Sequence, residues 1–380
     1  MKITIVGGGI TGLTTALALQ KLGIQCEVYE RAPQLTEVGA GIWLQPNAMK
    51  ILDWLGLGAT IRSEGMPLHL AELTNQNLQA ISKMDVHSVK DKSNLGITSI
   101  HRARLQKVLF DALPSHLAHL GQTYEGHTVK ADKIYVQFSG TTIETDVVLA
   151  ADGIHSAVRQ QLFPNSWTRY SGQTCWRGIS QMSLPADFID KGREAWGKGI
   201  RFGFASISPS EIYWFAVAKA PENEQDEPSL RKEMLAQKFQ VFHPLVGQII
   251  THTPTTKIIR NDIIDLHRLH RWSKGKVCLI GDAAHATTPN MGQGAGQGIE
   301  DAYYLSLILK SFPKDALTAF QHFEEKRRPK VDMIVNTSWR LGQLAHSSIG
   351  QPLIKTVMKL SPQSVILKQM QTMFDVEGLH

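Results

Sequence analysis

The sequence predicts an α/β protein: a doubly wound, Rossmann-like lobe interrupted by an inserted antiparallel β-sheet lobe and followed by C-terminal helices. Three observations predict it. The chain opens on a short apolar strand, a glycine turn, a helix and a second strand. From about 168 to 270 the pattern changes to alternation, with much of the tryptophan and tyrosine. At Lys276–Ile280 a buried type of strand returns before a glycine-rich helix start, so the chain re-enters its first lobe. The boundaries expected are 1–165 with 271–345 for the first lobe, 166–270 for the insert and 346–380 for a helical tail.

Lys2–Val6 reads as a buried strand and Ile10–Lys21 as a helix with Leu13 and Leu17 on one side. Gln25–Glu30 completes the βαβ unit. The stretch 35–125 mixes loops with helices at Asn47–Leu55 and Arg102–Leu113, and Ile134–Phe138 with Thr142–Leu149 reads as a hairpin returning to the sheet. In the insert, Arg201–Ile207 and Ile212–Ala218 alternate, and Glu222–Glu227 is a polar loop. A helix follows from about Gln293 to Lys310. Residues 315–380 read as helical, interrupted at Pro329, Pro352 and Pro362. Leu353–Phe374 is amphipathic and carries Lys355, Lys359 and Lys368; it is expected to pack on the first lobe, with contact to a membrane surface as the alternative.

The 380 residues are 42% hydrophobic and 19% charged, ordinary for a globular chain, and the formal net charge is +6. The basic residues are scattered. Lys326-Arg327-Arg328 is the one tight run, and beside Glu324 and Glu325 it reads as a solvated helix end, so no nucleic acid partner is expected. Cys26, Cys175 and Cys278 show neither metal spacing nor a disulfide framework, and His243, His267 and His270 show no metal geometry, so no metal is expected. No run approaches the ~18 apolar residues of a membrane span, and Met1-Lys2 leads directly into a strand. A cytoplasmic protein without integral membrane contact is expected, as monomer or homodimer.

Three motifs carry chemistry. In Gly7-Gly8-Gly9-Ile10-Thr11-Gly12, Gly7 permits a tight turn, Gly9 lets a pyrophosphate approach the backbone, and Gly12 lets helix and strand pack closely. The helix start offers N–H groups to phosphate, and Glu30, ending the second strand next to Arg31, is placed for a ribose diol. In the second motif, KVCLIGDAAHATTPNMGQG over Lys276–Gly294, Asp282 follows a strand end and suits a polyol hydroxyl. The backbone around Gly292, Gln293 and Gly294 can approach a ring edge, where the helix dipole favours negative charge. The third, Ala150-Ala151-Asp152-Gly153 through Ser156 and Arg159, read by itself is a turn and helix cap.

In this order and spacing the three motifs resemble the single-component FAD-dependent aromatic hydroxylases, the para-hydroxybenzoate and salicylate hydroxylase group. GAGIWLQPNAMKILDWL at Gly39–Leu55, HRARL at His101–Leu105 and YSGQTCWRG at Tyr170–Gly178 extend the likeness over about residues 1–345. The resemblance implies that the Rossmann-like lobe is an FAD-binding domain holding tightly bound, non-covalent FAD. Gly7, Gly9 and Gly12 would hold its pyrophosphate, Glu30 the adenosine ribose, Arg102 the ribityl–phosphate portion and Asp282 the ribityl chain. Pro289 would lie near the reactive edge of the ring, and Gly292 to Gly294 near its pyrimidine end. Asp152 and Gly153 would serve both FAD and the co-substrate, NADPH or NADH. The implied reaction is hydroxylation of a small aromatic or heteroaromatic compound with O2, through a flavin C4a-hydroperoxide.

Arg201, followed twelve residues later by Tyr213, resembles the Arg and Tyr that hold a purine in bacterial FAD-dependent urate hydroxylases; an exposed Arg and a core Tyr is the plainer alternative. Arg201, Tyr213 and Pro289 are therefore the catalytic candidates. Trp43 and Trp176 are candidates for the pocket wall, and His285 is either a base or a structural member of its motif. An epoxidase or isoprenoid reductase and a tetracycline-like polyketide hydroxylase remain open on the same scaffold. A halogenase is disfavoured by the absence of Trp-x-Trp-x-Ile-Pro, and a non-catalytic flavin binder by intact motifs for both ends of the cofactor.

Overall fold

The computed structural model describes residues 1–35, 40–85, 96–347, 349–361 and 371–379. Ile3–Val6 lies at the centre of a six-stranded sheet. It pairs in parallel with Cys26–Glu30 on one side and Val147–Ala150 on the other. Val147–Ala150 pairs in parallel with Val277–Leu279, and Cys26–Glu30 with Ala118–Leu120. Ser273–Lys274 closes one edge antiparallel. ITIV and VVLA are buried along their whole length, as strands covered on both faces must be. The register sets Val6 beside Ala150, and Ala150 beside Leu279. Three neighbouring strands thus end at one edge, each running into a glycine-bearing turn, where α/β sheets bind ligands.

The second sheet has seven strands, in the order Ile259–Leu266, Thr168–Ser180, Glu211–Lys219, Ile200–Ser208, Lys191–Trp196, Leu70–Asn75 and Ala80–Asp85. All neighbours are antiparallel except Lys191–Trp196 with Leu70–Asn75. One face carries Trp176, Phe202, Phe204 and Trp214 against helices Arg231–Lys238 and Pro244–Thr251. The other carries Ile179, Tyr213 and Phe215 toward Ala40 and Trp43.

The middle stretch differs from its reading as helices and loops. Leu70–Asn75 and Ala80–Asp85 belong to the second sheet, and Gly41–Leu44, Ile97–His101 and Met66–Leu68 form a small sheet of their own. Leu70–Asn75 and Ala80–Asp85 form a hairpin whose turn is braced by Asn75, which accepts from the Asn77 and Gln79 N–H groups, but its place in the second sheet and the pairing of the other three short strands depend on long-range contacts. The expected hairpin is Lys133–Phe138 with Thr141–Thr145, and Val147–Ala150 is a separate strand of the parallel sheet. In the loop at 222–227, Asp226 turns inward and accepts from Trp176, Arg231 and Arg260.

Pro329 does not interrupt its helix, which runs unbroken over Ala316–Ala345, and Pro352 sits in the first turn of Gly350–Leu360, where its missing N–H has no intrahelical role. Pro362 and the rest of 362–370 lie outside the described residues. Neither is the basic run a solvated helix end. Phe320, Phe323, Arg327, Val331 and Ile334 face inward at helical spacing, which carries Arg327 into the interior. There its Nε donates to Asp301 at 2.8 Å and its NH1 to Glu300 at 2.6 Å, while NH2 reaches the side chain of Gln297 at 2.7 Å. Lys330 adds a 2.8 Å bond to Glu300.

Burial by itself would raise the Asp301 carboxyl, but His285 and Arg327 outweigh it and hold the group below its ordinary value. Its stabilisation is complete above the unfolded carboxylate range near pH ~4 and is lost as pH falls toward the depressed folded value. Arg327→Met leaves Glu300 and Asp301 short of their main cation. Urea unfolding at neutral pH is expected to show a loss of about 3–5 kcal/mol; an unchanged midpoint would show that the network is not stabilising.

Candidate active site

The first turn is set by close backbone approach. Gly7 has φ +105°, and a Cβ there would stand 2.5 Å from the Ala151 carbonyl oxygen. One on Gly12 would stand 1.9 Å from the Gly7 oxygen. Gly9 differs, since nothing lies within 4 Å of its Cβ position, and as N-cap of Ile10–Lys21 it offers no side-chain cap. The first helical N–H groups therefore face open space, which suits a phosphate. Glu30 braces the turn, accepting from the Gly8 N–H at 2.6 Å and the Ala32 N–H at 2.9 Å. Gln106 donates to the Gly8 oxygen at 2.7 Å. Arg31 and Arg102 are exposed, and neither side chain makes a hydrogen bond or ion pair with another described residue.

The second turn is packed onto the first. Cβ atoms on Gly281 (φ +57°) and Gly298 would stand 2.6 and 2.1 Å from Thr11 Oγ1, so helices Ile10–Lys21 and Gly294–Ser311 cross with nothing between them. Asp282 is exposed and makes no side-chain bond to a described residue. Pro289 is exposed and opens a tight turn over Pro289–Met291, Gly292 is left-handed, and the helix after Gln293 has no side-chain cap. Gln293 Oε1 accepts from Asn47 and Gln297, both at 3.0 Å, and Asn47 also donates to Glu300 at 2.6 Å. Buried Gln45 Oε1, Asn47 Oδ1 and Gln293 Nε2 are left without partners. Acceptors and a donor waiting beside an uncapped helix start fit the mixed hydrogen-bonding edge of a flavin pyrimidine ring. Gln45 and Asn47 went unremarked in the sequence; the polar run before a Pro at the helix start was the available signal.

In the third segment, Asp152 accepts from Ser156 Oγ at 2.6 Å and the Val158 N–H at 3.2 Å, so its carboxylate caps the following helix. Burial raises it despite those bonds. Gly153, at φ +81°, has an open side. Arg159 ties this segment to the second motif by donating to the Ala283 carbonyl at 3.1 Å. His285 is buried against Asp301 at 2.6 Å, which makes it a structural member of its motif.

On the second sheet, Arg201 pairs with Val217, and Ala205 with Tyr213. By alternation, Arg201 and Tyr213 share a face, about 13 Å apart along the strand. That face meets the first lobe. Arg201 is buried; it donates to Glu194 at 3.0 Å and to Asn290 at 2.7 Å, while its Nε has no partner. Asn290 directly follows Pro289, so the inserted sheet touches the ring-side turn. Between Arg201 and Tyr213 lie Gly203 and Phe215, and Gly41 abuts the far end, where a Cβ would meet the Tyr213 ring at 2.3 Å. Burial pushes the Tyr213 hydroxyl well above its ordinary range. Trp43 packs here against Phe215, but Trp176 lies on the opposite face and is no pocket wall, because even-numbered residues of its strand point to the helices. Glu194 and Asn290, both bonded to Arg201, were not foreseen. Among the described residues no cluster of His, Cys, Asp and Glu is placed to hold a metal, and no helix is long and apolar enough to cross a membrane.

A family model described as an FAD binding domain matches residues 1–338. The chain is 38% identical over 347 residues to the aurachin C monooxygenase/isomerase of Stigmatella aurantiaca, covering 90% of this chain and 89% of that protein. It is 33% identical over 386 residues to the 2-heptyl-3-hydroxy-4(1H)-quinolone synthase of Pseudomonas aeruginosa, covering 100% and 99%. The structure of Klebsiella pneumoniae HpxO with FAD and uric acid superposes with a TM-score of 0.90 at 25% identity, over 98% of this chain and 96% of that one. FAD is therefore the cofactor of this chain. Gly12→Ala drives a methyl group into the Gly7 carbonyl; the variant is expected to purify without the yellow flavin band while keeping its far-ultraviolet dichroism, and full flavin content would refute the packing argument.

Proposed function

The chain belongs to the FAD-dependent aromatic hydroxylase family, and on that premise we propose that it is a monooxygenase that uses NAD(P)H and O2 to oxygenate a heteroaromatic ring. The observation that supports this most directly is the bond from Arg201 to Asn290. It sets the polar end of the substrate face against the turn assigned to the flavin edge. FAD, when bound, supplies electron uptake from NAD(P)H and activation of O2 for transfer of one oxygen atom.

The protein's own part is positioning and exclusion of water. Gly7, Gly9 and Gly12 admit the pyrophosphate, Glu30 accepts from the ribose, and Asp282 and Arg102 hold the middle of the cofactor. Asp152 and Gly153 form part of the nicotinamide approach, since no second glycine fingerprint exists in the sequence. Arg201 and Tyr213 grip opposite ends of the substrate. With its hydroxyl raised by burial, Tyr213 stays protonated and donates a hydrogen bond. Trp43, Ile179 and Phe215 supply a dry apolar wall. The two lobes, 1–165 with 271–345 and 166–270, share this site, and Leu70–Asp85 reinforces the substrate sheet.

The heptyl quinolone in the name of the Pseudomonas aeruginosa relative makes a bicyclic ring with an apolar side chain the favoured substrate class, ahead of urate. The test is nucleotide oxidation and O2 uptake with 2-alkyl-4-quinolones, hydroxybenzoates and urate, followed by mass analysis for one added oxygen. Flavin-loaded protein that takes up no O2 with any nucleotide and substrate would overturn the reading. Arg201→Gln is expected to raise KM by about 10–100-fold, the equivalent of one charged hydrogen bond of roughly 1.5–3 kcal/mol. Asp282→Ala is expected to lower FAD occupancy, read as flavin absorbance per protein.

A further inference from the structure

We propose that helix Gly350–Leu360 docks the protein on an anionic lipid bilayer. Ile349, Leu353, Val357 and Leu360 are 82%, 60%, 55% and 74% exposed. Their spacing of four, four and three places them on one stripe about 80° wide. Leu344, itself 43% exposed, extends the stripe, since its side chain lies 3.0 Å from where a Cβ on Gly350 would stand. Single exposed apolar residues need no explanation, but a contiguous set of five does.

The opposite side of the helix is fastened down. Gln351 donates to the carbonyls of Gly197 at 2.7 Å and Ala345 at 3.2 Å, and Lys355 donates to that of Trp196 at 3.3 Å. The strand Ala80–Asp85 packs against it as well. The stripe is thus held outward by the second sheet.

The surrounding charge selects the partner. From Met333 through Ser361 the sequence contains no aspartate or glutamate, while Arg340 and Lys355 are basic. Arg340 is exposed on the helix that ends beside the stripe. Lys198 is exposed next to Gly197, and exposed Lys219 is close enough to act on buried His346. None of the three makes an ion pair with a described residue. A second copy would bring this belt of like charge against itself, and one helix stripe falls short of the ~800 Å² per partner of a standard protein interface. A bilayer with anionic headgroups accepts apolar side chains and cations together. Docking there would bring the Trp196–Arg201 segment close to the lipid, where a ring with an apolar tail partitions. That last advantage rests on the substrate class proposed above; the docking does not.

The experiment is co-sedimentation of the full-length, flavin-loaded protein with vesicles of phosphatidylcholine alone and of phosphatidylcholine with phosphatidylglycerol. Binding is expected only to the second kind and is expected to weaken with added salt. Leu353→Glu with Leu360→Glu is expected to weaken binding by at least about tenfold, with flavin content and nucleotide oxidation unchanged. Arg340→Glu with Lys198→Glu, which leaves the apolar stripe intact, is expected to reduce binding at low salt. Wild-type protein that stays in the supernatant with anionic vesicles, or a Leu353/Leu360 variant that still sediments fully, overturns the proposal. So does a dimer that the same pair of glutamates dissociates in the absence of vesicle binding.

Discussion

The structure depends on one close contact, the place where Thr11 lies against Gly281 and Gly298. A side chain at Gly298 would force helices Ile10–Lys21 and Gly294–Ser311 apart, and one at Gly281 would push the second turn off Thr11. This contact brings together two glycine-bearing backbone turns from distant parts of the chain, the ones proposed to face the pyrophosphate and the ring edge of the cofactor. The parallel register adds the third segment, since Val6 and Ala150 end side by side and Gly7 rests on Ala151.

Behind this edge the protein keeps a buried charged cluster. His285, Glu300, Asp301, Arg327 and Lys330 come from the ring-side motif and from two helices. Such clusters contribute little over an apolar core of equal volume, but breaking one is severe, so they act more as registration devices than as sources of stability. Here the device sets Ala316–Ala345 against Gly294–Ser311. The same long helix then reaches the substrate face, where Asn290 donates to the Ser338 carbonyl at 3.0 Å and Gln173 to that of Gly342 at 3.0 Å.

The inserted sheet is buried on both faces, and the two faces do different work. Even-numbered residues of Ile200–Ser208 and Glu211–Lys219 make an aromatic core under two helices. Odd-numbered residues meet the nucleotide lobe, and it is among them that Arg201 and Tyr213 occur. The lobes are joined by Arg201 with Asn290 and by Arg104 with Glu211. Both bonds bring polar groups of the substrate sheet against cofactor-side segments.

The sequence by itself determined the features that depend on local backbone chemistry. The βαβ opening, Gly7, Gly12 and Glu30, the return strand and the helix from Gly294 follow from periodicity and from where only glycine fits. That Arg201 and Tyr213 share a face was not determined by their spacing: the turn pairs Ser208 with Glu211, and only the register shift between Ser206 and Ser208 brings Ala205 opposite Tyr213 and Arg201 opposite Val217. Tertiary structure decided what depends on contacts between distant segments: that Leu70–Asp85 joins the second sheet, that Arg327 is buried, that Pro329 stays helical, and that Trp176 faces away from the site. It also decided that Asp152 caps a helix and that Asn47 reaches Gln293. In each case the competing local signal was sound, and long-range packing outweighed it.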